Sequence, residues 1–280
     1  KKYKVIYYAP GLGNPLVMGR FSFLYVVKEL FNIIHFKALA RVTSLSAAAS
    51  RTEIEVFNKK LKKNNSKVFF VQVPESVDTD HFKPQNKVFA VENLSNNFRL
   101  PESDLIFSYI GRLAKVKGLN LIIDAFKEFR KNSPNAYLLI AGKGELNLKI
   151  KQYIVSNELD KYVFMLGNLD SDKIVSLINI SDACLFASYS EGFSCAMLEI
   201  LSCGKPIVST KVSGTDELIL TNKTGVVVNS RDPKMYCKAM QEVINIKDNN
   251  KYCRDLVLNN YTNDIQWQAI IEIINGARFN

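Results

Sequence analysis

Residues 105–118 read LIFSYIGRLAKVKG, and this stretch decides the fold. Its first six residues form a mostly apolar run of strand length, and the run ends at Gly111. Residues 119–131 then continue with apolar side chains at helical spacing. A strand that is apolar on both faces needs cover on both faces, which is typical of a parallel sheet with helices on each side. The stretch therefore predicts one strand–loop–helix unit of a parallel α/β sheet.

The same alternation continues toward the end of the chain. Further strands are predicted at 136–141, 163–166, 183–188, 206–210 and 225–228. The predicted helices lie between them, at about 145–156, 170–178, 193–202 and from 215. Regular alternation of strand and helix predicts a doubly wound parallel sheet. The last predicted element is an amphipathic helix over 264–274, anchored by Trp267.

The first hundred residues are less regular. Strands are predicted at 5–8, 41–45 and 68–73, with a break at the Pro- and Gly-rich residues 10–15. Residues 83–104 mix Pro, Asn, Ser and charge, which predicts a linker. The apolar stretch 21–39 has helical spacing and three interpretations remain open: a core helix, a surface that contacts a membrane, or an exposed apolar face.

Bulk composition narrows the classes of protein. A chain of 280 residues with 47% hydrophobic and 23% charged residues is long enough for two domains. The sequence has no run of eighteen uncharged apolar residues, so it predicts no membrane-spanning helix. The first ten residues lack the cleavage pattern of a signal peptide. Five cysteines without a Cys-x-x-Cys spacing argue against a disulfide framework or a metal site. We expect a cytoplasmic protein.

Of the net charge of +10, +9 lies in the first hundred residues. Residues 1–100 contain 16 Lys and Arg against 7 Asp and Glu, whereas residues 101–280 contain 21 against 20. Such a field attracts an anionic membrane or an acidic acceptor, unless it is simply a solvated surface. No zinc-finger spacing or aromatic RNA-binding signature supports nucleic acid as a partner.

Two loops carry residues suited to a phosphorylated ligand. In the first, residues 111–118, Arg112 offers a planar fork and Lys117 a mobile charge, and both can bind a diphosphate. Ligands of such sheets bind beyond the carboxyl ends of the strands, where this loop is expected. The alternative is that both side chains are merely solvated.

The second loop, residues 190–199, reads SEGFSCAMLE and follows a predicted strand. A helix start expected at Phe193 would present backbone N–H groups to a phosphate, and Gly192 would permit close approach. Glu191 stands at the helix entrance, and Glu199 lies eight positions later, near the same face. The alternative assigns Glu191 to a helix cap and Glu199 to the surface.

Glu191 and Glu199, separated by seven residues, resemble the Glu-x7-Glu signature of glycosyltransferase family 4, retaining enzymes of the GT-B fold. The loop 111–118 resembles that family's diphosphate-binding loop, and the segments 77–84, 204–208 and 214–219 also fit the family. The resemblance covers roughly residues 40–280. It implies an α/β protein with two Rossmann-like domains and parallel sheets, the N-terminal domain being incomplete.

The resemblance also implies a domain division. Residues 1–95 would be a partial acceptor-side domain and linker, and residues 96–262 the domain that binds the nucleotide sugar. Residues 263–280 would form a C-terminal helix that returns to the N-terminal domain. Family members usually begin with about a hundred more residues than this chain has.

Residue roles follow from the same resemblance. Arg112, Lys117 and Glu191 would be catalytic: the two basic side chains neutralise the diphosphate leaving group, and Glu191 binds hydroxyls of the transferred sugar. Glu199 would hold the ribose. The full donor-binding set would be Arg112, Lys117, Gly142, Glu191, Gly192, Phe193, Ser194 and Glu199. No protein nucleophile, cofactor or metal is then required.

The function implied is a metal-independent, retaining transfer of a hexose or N-acetylhexosamine from a nucleotide-diphosphate sugar. The acceptor would be a saccharide or a lipid-linked saccharide in cell-surface polysaccharide assembly, at the inner face of the cell membrane. The alternative is a nucleotide-sugar-binding module that is inactive because its acceptor domain is incomplete. An epimerase would need acid and base groups at a recognisable motif, and an oxidoreductase a Gly-x-Gly-x-x-Gly after a strand; neither occurs.

Three features invite other interpretations. Many family members carry a His before a Gly in the acceptor domain, whereas the matching place here is residues 10–13, PGLG. The two histidines, His35 and His81, are not predicted to be catalytic. The Asp-x-Asp patterns at 78–80 and 170–172 resemble a metal–diphosphate motif, but we expect a turn at the first and a helix cap at the second.

Overall fold

The computed structural model describes residues 6–8, 45–51, 54–55, 59, 69–95 and 105–275. In these ranges the strands are β1 (Ile6–Tyr8), β2 (Leu45–Ala48), β3 (Phe69–Gln72), β4 (Leu105–Ile110), β5 (Ala136–Ala141), β6 (Val163–Gly167), β7 (Ala183–Phe186), β8 (Ile207–Thr210) and β9 (Gly225–Val228). The helices are α1 (Lys87–Ser95), α2 (Leu119–Arg130), α3 (Asn147–Ser156), α4 (Ser171–Ile180), α5 (Cys195–Ser202), α6 (Thr215–Leu218), α7 (Pro233–Val243), α8 (Asn249–Asn260) and α9 (Asn263–Asn275).

The larger sheet has six parallel strands in the order β6-β5-β4-β7-β8-β9. This is the doubly wound order, in which the direction of winding reverses between β4 and β7. Neighbouring residues of β4 point to opposite faces, so that Phe107 joins the core under α2 and α7. Ile106 joins the core under α1, α4 and α5. The predicted Rossmann-like α/β fold of this region is confirmed.

The smaller sheet has three parallel strands in the order β1-β2-β3. Its carboxyl edge contacts the larger sheet through Glu217 on α6. The Glu217 carboxylate accepts hydrogen bonds from the backbone N of Arg51 at 2.9 Å and from Gln72 Nε2 at 2.8 Å. Beside it, the hydroxyl oxygens of Ser50 and Ser213 lie 2.7 Å apart. The carboxyl ends of the two sheets therefore approach each other at Glu217.

Two chain segments connect the region of the smaller sheet to the larger one, and we call them the neck: residues 73–86 and 261–275. Val77 forms a parallel bridge with Thr262, and Gln266 Nε2 donates to the carbonyl of Pro74 at 2.8 Å. Val73 packs against Ile273 of α9. The last helix thus lies along the segment that follows β3.

Arg254 of α8 holds the neck against the larger sheet. Its Nη1 donates to the carbonyls of Phe82 and Ser202 at 2.7 and 2.8 Å, and Nη2 donates to the carbonyl of Thr79 at 2.8 Å. The hydroxyl of Ser202, which is fully buried, also donates to the carbonyl of Phe82 at 2.5 Å. One guanidinium therefore satisfies oxygen atoms of two separate segments.

Several predictions about elements were wrong in part. The linker expected at 83–104 contains helix α1, because Ala90 and Leu94 stand four residues apart and bury one face against α4. Strand β7 ends at Phe186 rather than at 188, and α5 begins at Cys195 rather than Phe193. Both differences lengthen the loop between them, because the chain must turn before it can continue as a helix.

The predicted anchor of the last helix was also wrong. Trp267 is 61% exposed, whereas Ala269 and Ile273, four residues apart on the opposite face, are buried. The predictions for residues 10–15, 21–39 and His35 fall outside the described residues, as do 41–44 of the strand expected at 41–45. Within the described ranges, no helix is both long enough and apolar enough to cross a bilayer.

We expect Arg254→Ala to lower the free energy of unfolding by about 2–3 kcal/mol, because the carbonyls of Ser202 and Thr79 lose the guanidinium as donor and the neck loses its link to α8. Urea unfolding followed by circular dichroism measures the loss. The control is Lys238→Ala, which removes an exposed ion pair with Glu242 at 3.8 Å and should cost at most about 0.5 kcal/mol. Equal losses for the two variants would show that Arg254 does not hold the neck.

Candidate functional site

The two loops predicted to bind phosphate lie together at the carboxyl edge of the larger sheet. They follow β4 and β7, which are paired neighbours at the reversal of winding. The backbone N of Tyr189 donates to the carbonyl of Val116 at 2.7 Å, which joins one loop to the other. Open α/β sheets bind their ligands at this position. We call the loop residues 111–118 and 187–194 the two donor loops.

A half-buried ion pair bridges the donor loops. Lys117 Nζ lies 2.5 Å from Glu191 Oε1, with the two side chains 22% and 12% exposed. Ser188 donates its hydroxyl to the same carboxylate oxygen at 2.6 Å. Restricted access of water strengthens such a pair relative to one on the surface. The sequence predicted separate roles for Lys117 and Glu191, whereas the structure places them in direct contact.

Arg112 occupies a different environment in the same loop. Its side chain is exposed, but its backbone carbonyl accepts the phenolic hydroxyl of Tyr109 at 2.9 Å. Burial raises the pKa of Tyr109 well above its ordinary value, and the charge of Glu191 raises that pKa further. Tyr109 therefore stays a neutral donor that holds the loop, while the guanidinium of Arg112 extends into solvent beside the site.

Two glycines let backbone segments of the site come close together. Gly142, predicted to bind the donor, has a φ of +134°, and a Cβ there would lie 1.9 Å from the carbonyl oxygen of Gly111. Gly118 has a φ of +61°, and its Cβ would lie 2.2 Å from the carbonyl oxygen of Ala187. A side chain at either position would push a donor loop out of place.

Phe193 and Ser194, the residues just before α5, form the end of the second donor loop. Ser194 is the residue that precedes the helix, and its carbonyl accepts the backbone N of Met197 at 3.0 Å. The ring of Phe193 packs against Tyr261 at 5.7 Å between ring centroids. A Cβ on Gly214 would lie 2.9 Å from that same ring. Phe193 therefore has a packing role that the sequence did not indicate, in addition to its predicted backbone contact.

Glu199 lies one turn into α5 as a half-buried carboxylate on a mostly apolar helix. Burial raises its pKa, and the nearby charge of His81 lowers that pKa by a smaller amount. His81 is held from the other side, since its Nε2 lies 2.7 Å from Ser171 Oγ and its Nδ1 lies 3.9 Å from Asp172 Oδ1. The sequence did not predict a catalytic role for His81 and did not indicate that it lies near Glu199.

The Asp-x-Asp patterns have local structural roles. Asp170 caps α4 by accepting the backbone N of Lys173 at 2.9 Å, as expected. Asp78 accepts the backbone N atoms of Asp80 and His81 at 3.0 and 3.1 Å, which closes the expected turn.

Ser188 is a site residue that the sequence did not indicate. Its signal was a short polar residue three positions before Glu191, at the end of a strand.

We expect Glu199→Gln to make the ligand-free protein more stable at neutral pH. A carboxyl whose pKa is raised by folding costs stability above that pKa, and the cost vanishes below the pKa of the unfolded chain. The gain should therefore shrink as the pH falls into the ordinary range of glutamate. Urea unfolding of wild type and variant across that range measures it, with the exposed Glu145→Gln as control. A variant less stable than wild type at neutral pH would contradict the expected cost.

Known proteins resemble this chain at the level of the family and of single relatives. Residues 90–261 match the family model for glycosyl transferases group 1. The chain is 29% identical over 182 residues to a phosphatidylinositol N-acetylglucosaminyltransferase subunit from Arabidopsis thaliana, covering 65% of this chain and 37% of the relative. It is 23% identical over 210 residues to D-inositol 3-phosphate glycosyltransferase of Corynebacterium jeikeium, covering 72% and 50%. The chain spans about half, or less, of the length of these curated relatives.

Solved structures resemble nearly the whole chain. Sucrose-phosphate synthase from Thermosynechococcus elongatus superposes with a TM-score of 0.80 at 19% identity, covering 97% of this chain and 67% of that one. Anabaena HepE in complex with UDP and glucose superposes with a TM-score of 0.77 at 18% identity, covering 97% and 71%. These likenesses show the GT-B fold. The family match extends over more than half of this chain, and the chain therefore belongs to the glycosyl transferases group 1 family.

Proposed function

We propose that this chain transfers a hexose or N-acetylhexosamine from a nucleotide-diphosphate sugar, with retention of the anomeric configuration and without a metal ion. The observation that carries the proposal is the contact between the donor loops, where Lys117 meets Glu191 and Arg112 extends beside them. A leaving diphosphate is stabilised by positive charge, and the hydroxyl groups of a sugar need a group that accepts their hydrogen bonds. Both groups stand at the edge where open α/β sheets bind ligands.

The geometry supports different roles for Lys117 and Glu191. Lys117 has three N–H donors, so it can hold Glu191 with one and donate to the diphosphate with another. Glu191, fixed by Ser188, then faces the sugar hydroxyls from beside the same phosphate. The bond from C1 to the diphosphate breaks while the acceptor oxygen bonds to C1 on the same face. The proton of the acceptor passes to the leaving phosphate, so no protein nucleophile is needed.

The class of substrate rests on the comparisons and on charge. The names of the two relatives describe transfer to inositol-containing acceptors, one of them a lipid, and the HepE structure holds UDP and glucose. The basic first hundred residues suit an anionic membrane surface. We therefore infer a saccharide or lipid-linked acceptor in cell-surface polysaccharide assembly, at the cytoplasmic face of the membrane.

The second candidate is a module that binds the nucleotide sugar without transferring it. It is favoured by one observation, that the family match, residues 90–261, covers the part of the chain that carries both donor loops. Both candidates predict binding of a nucleoside diphosphate at the donor loops. They differ in turnover, because only the enzyme releases the nucleoside diphosphate from its donor.

We expect the chain to release nucleoside diphosphate from a panel of UDP-, GDP- and ADP-sugars in the presence of a saccharide acceptor, and EDTA to leave the rate unchanged. Glu191→Gln should reduce that rate on the order of ten- to a thousand-fold, because a hydrogen bond specific to the transition state is lost. A coupled assay for the released diphosphate measures it. Binding without release would favour the binding module, and recovery by magnesium or manganese after chelation would contradict metal independence.

We expect Arg112→Ala and Lys117→Ala to weaken the binding of UDP, GDP or ADP roughly ten- to a hundred-fold, as for the loss of a charge-assisted hydrogen bond. Binding of the matching nucleoside should change little, because it has no phosphate. Isothermal titration of both ligands measures the difference, with Lys115→Ala, an exposed residue of the same loop, as control. Equal losses for nucleoside and diphosphate would place the phosphate elsewhere.

A further inference from the structure

We propose that Arg231 is a positioning residue for the donor site, one that fixes the second donor loop against the first. Arg231 lies between β9 and α7 and belongs to neither donor loop. The inference rests on the proposed function for its consequence in binding, but the contacts that carry it involve only this chain. They concern three successive residues, 187–189, and one glycine of the first loop.

The first contact is with backbone carbonyls that have left the sheet. Strand β7 ends at Phe186, and the next two residues, Ala187 and Ser188, are still buried. A buried carbonyl without a donor costs stability. Arg231 Nη2 donates to the carbonyl of Ala187 at 2.8 Å, and Nη1 lies 3.4 Å from the carbonyl of Ser188. Thr210 completes the set, donating its hydroxyl to the carbonyl of Ser188 at 2.8 Å.

The second contact is a stacked ring. The guanidinium carbon of Arg231 lies 3.5 Å from the centroid of the Tyr189 ring, within the range of a cation–π interaction. A planar group can stack and donate sideways at the same time, which an ammonium group cannot do. The backbone N of Tyr189 is the atom that donates to Val116 of the first loop. Arg231 thus holds the residue that joins the two loops.

The third contact is with Gly118, next to Lys117. A Cβ on Gly118 would lie 2.2 Å from the carbonyl oxygen of Ala187 and 2.4 Å from Arg231 Nη2. The end of the first loop therefore packs directly on the guanidinium and on the carbonyl that it binds. On the other side, Ser188 orients Glu191. Gly118 connects Arg231 to Lys117, and Ser188 connects it to Glu191. A shift of Arg231 would therefore move both members of the Lys117–Glu191 pair.

Two substitutions separate this role from simple packing. Arg231→Lys keeps the charge and most of the stem but loses the fork and the stacking plane, and Arg231→Ala loses all of them. The matched control is Arg130→Lys, because Arg130 lies 3.1 Å over the ring of Tyr162 and donates to the carbonyl of Pro134 at 2.6 Å. This is the same chemistry at the opposite edge of the sheet.

The test has a readout without ligand and a readout with ligand. Amide hydrogen exchange of the ligand-free protein should be faster in both donor loops of Arg231→Lys than in wild type, and unchanged there in Arg130→Lys. Titration with inorganic pyrophosphate, UDP, GDP and ADP should show affinity at least ten-fold weaker in Arg231→Lys. In a Lys117→Met background the same substitution should have little further effect, because the two residues act through one arrangement.

The outcomes separate the two proposals. Unchanged exchange in both loops of Arg231→Lys and Arg231→Ala overturns the positioning role, whatever the nucleotides do. Faster exchange in a protein whose wild type binds none of the four probes supports the positioning role and counts against the proposed function. Additive losses in the Lys117→Met background would mean that Arg231 acts independently of the pair, which also overturns the proposal.

Discussion

The structure depends on the pairing of β4 with β7 in the middle of the larger sheet. Only two residue pairs join the strands, Phe107 with Ala183 and Ser108 with Cys184, yet the winding reverses here. Helix α2 follows β4 to one face, and α5 follows β7 to the other. The loops that lead into these helices must therefore diverge, which opens a crevice at their start. The residues that bridge this crevice are those with site chemistry.

The two carboxylates of the second loop and its helix differ because of their surroundings. Glu191 is compensated by Lys117 and by the hydroxyl of Ser188, so its charge is stabilised before any ligand arrives. Burial raises the pKa of Glu199, and the charge of His81 offsets this rise in pKa only in part. A ligand with hydroxyl donors would relieve Glu199 but would have to share Glu191 with Lys117. Identical side chains eight positions apart thus present different binding properties.

The sequence predicted the fold of the larger sheet and the loops of the site because both depend on local patterns. The apolar run and glycine at 105–111 locate a strand and its end, and the two glutamates mark the second loop and the helix that follows it. It did not predict Arg231, because the contact joins residues 43 positions apart and depends on where β9 lies in the sheet. Helix α1 and the exposed side of Trp267 were missed for a related reason. Apolar content alone does not tell which face of a helix another element will cover.

The neck has a mechanical consequence. Because the chain passes through it twice, twisting one sheet relative to the other would shear the Val77–Thr262 bridge and the hydrogen bond from Gln266 to Pro74. Bending about the line between the two segments leaves those bonds nearly unchanged in length. The contact of Glu217 with Arg51 and Gln72 is a separate link between the two sheets, made by residues outside the neck. A bend of this kind would therefore act on the contacts of Glu217, the second place where the two sheets meet.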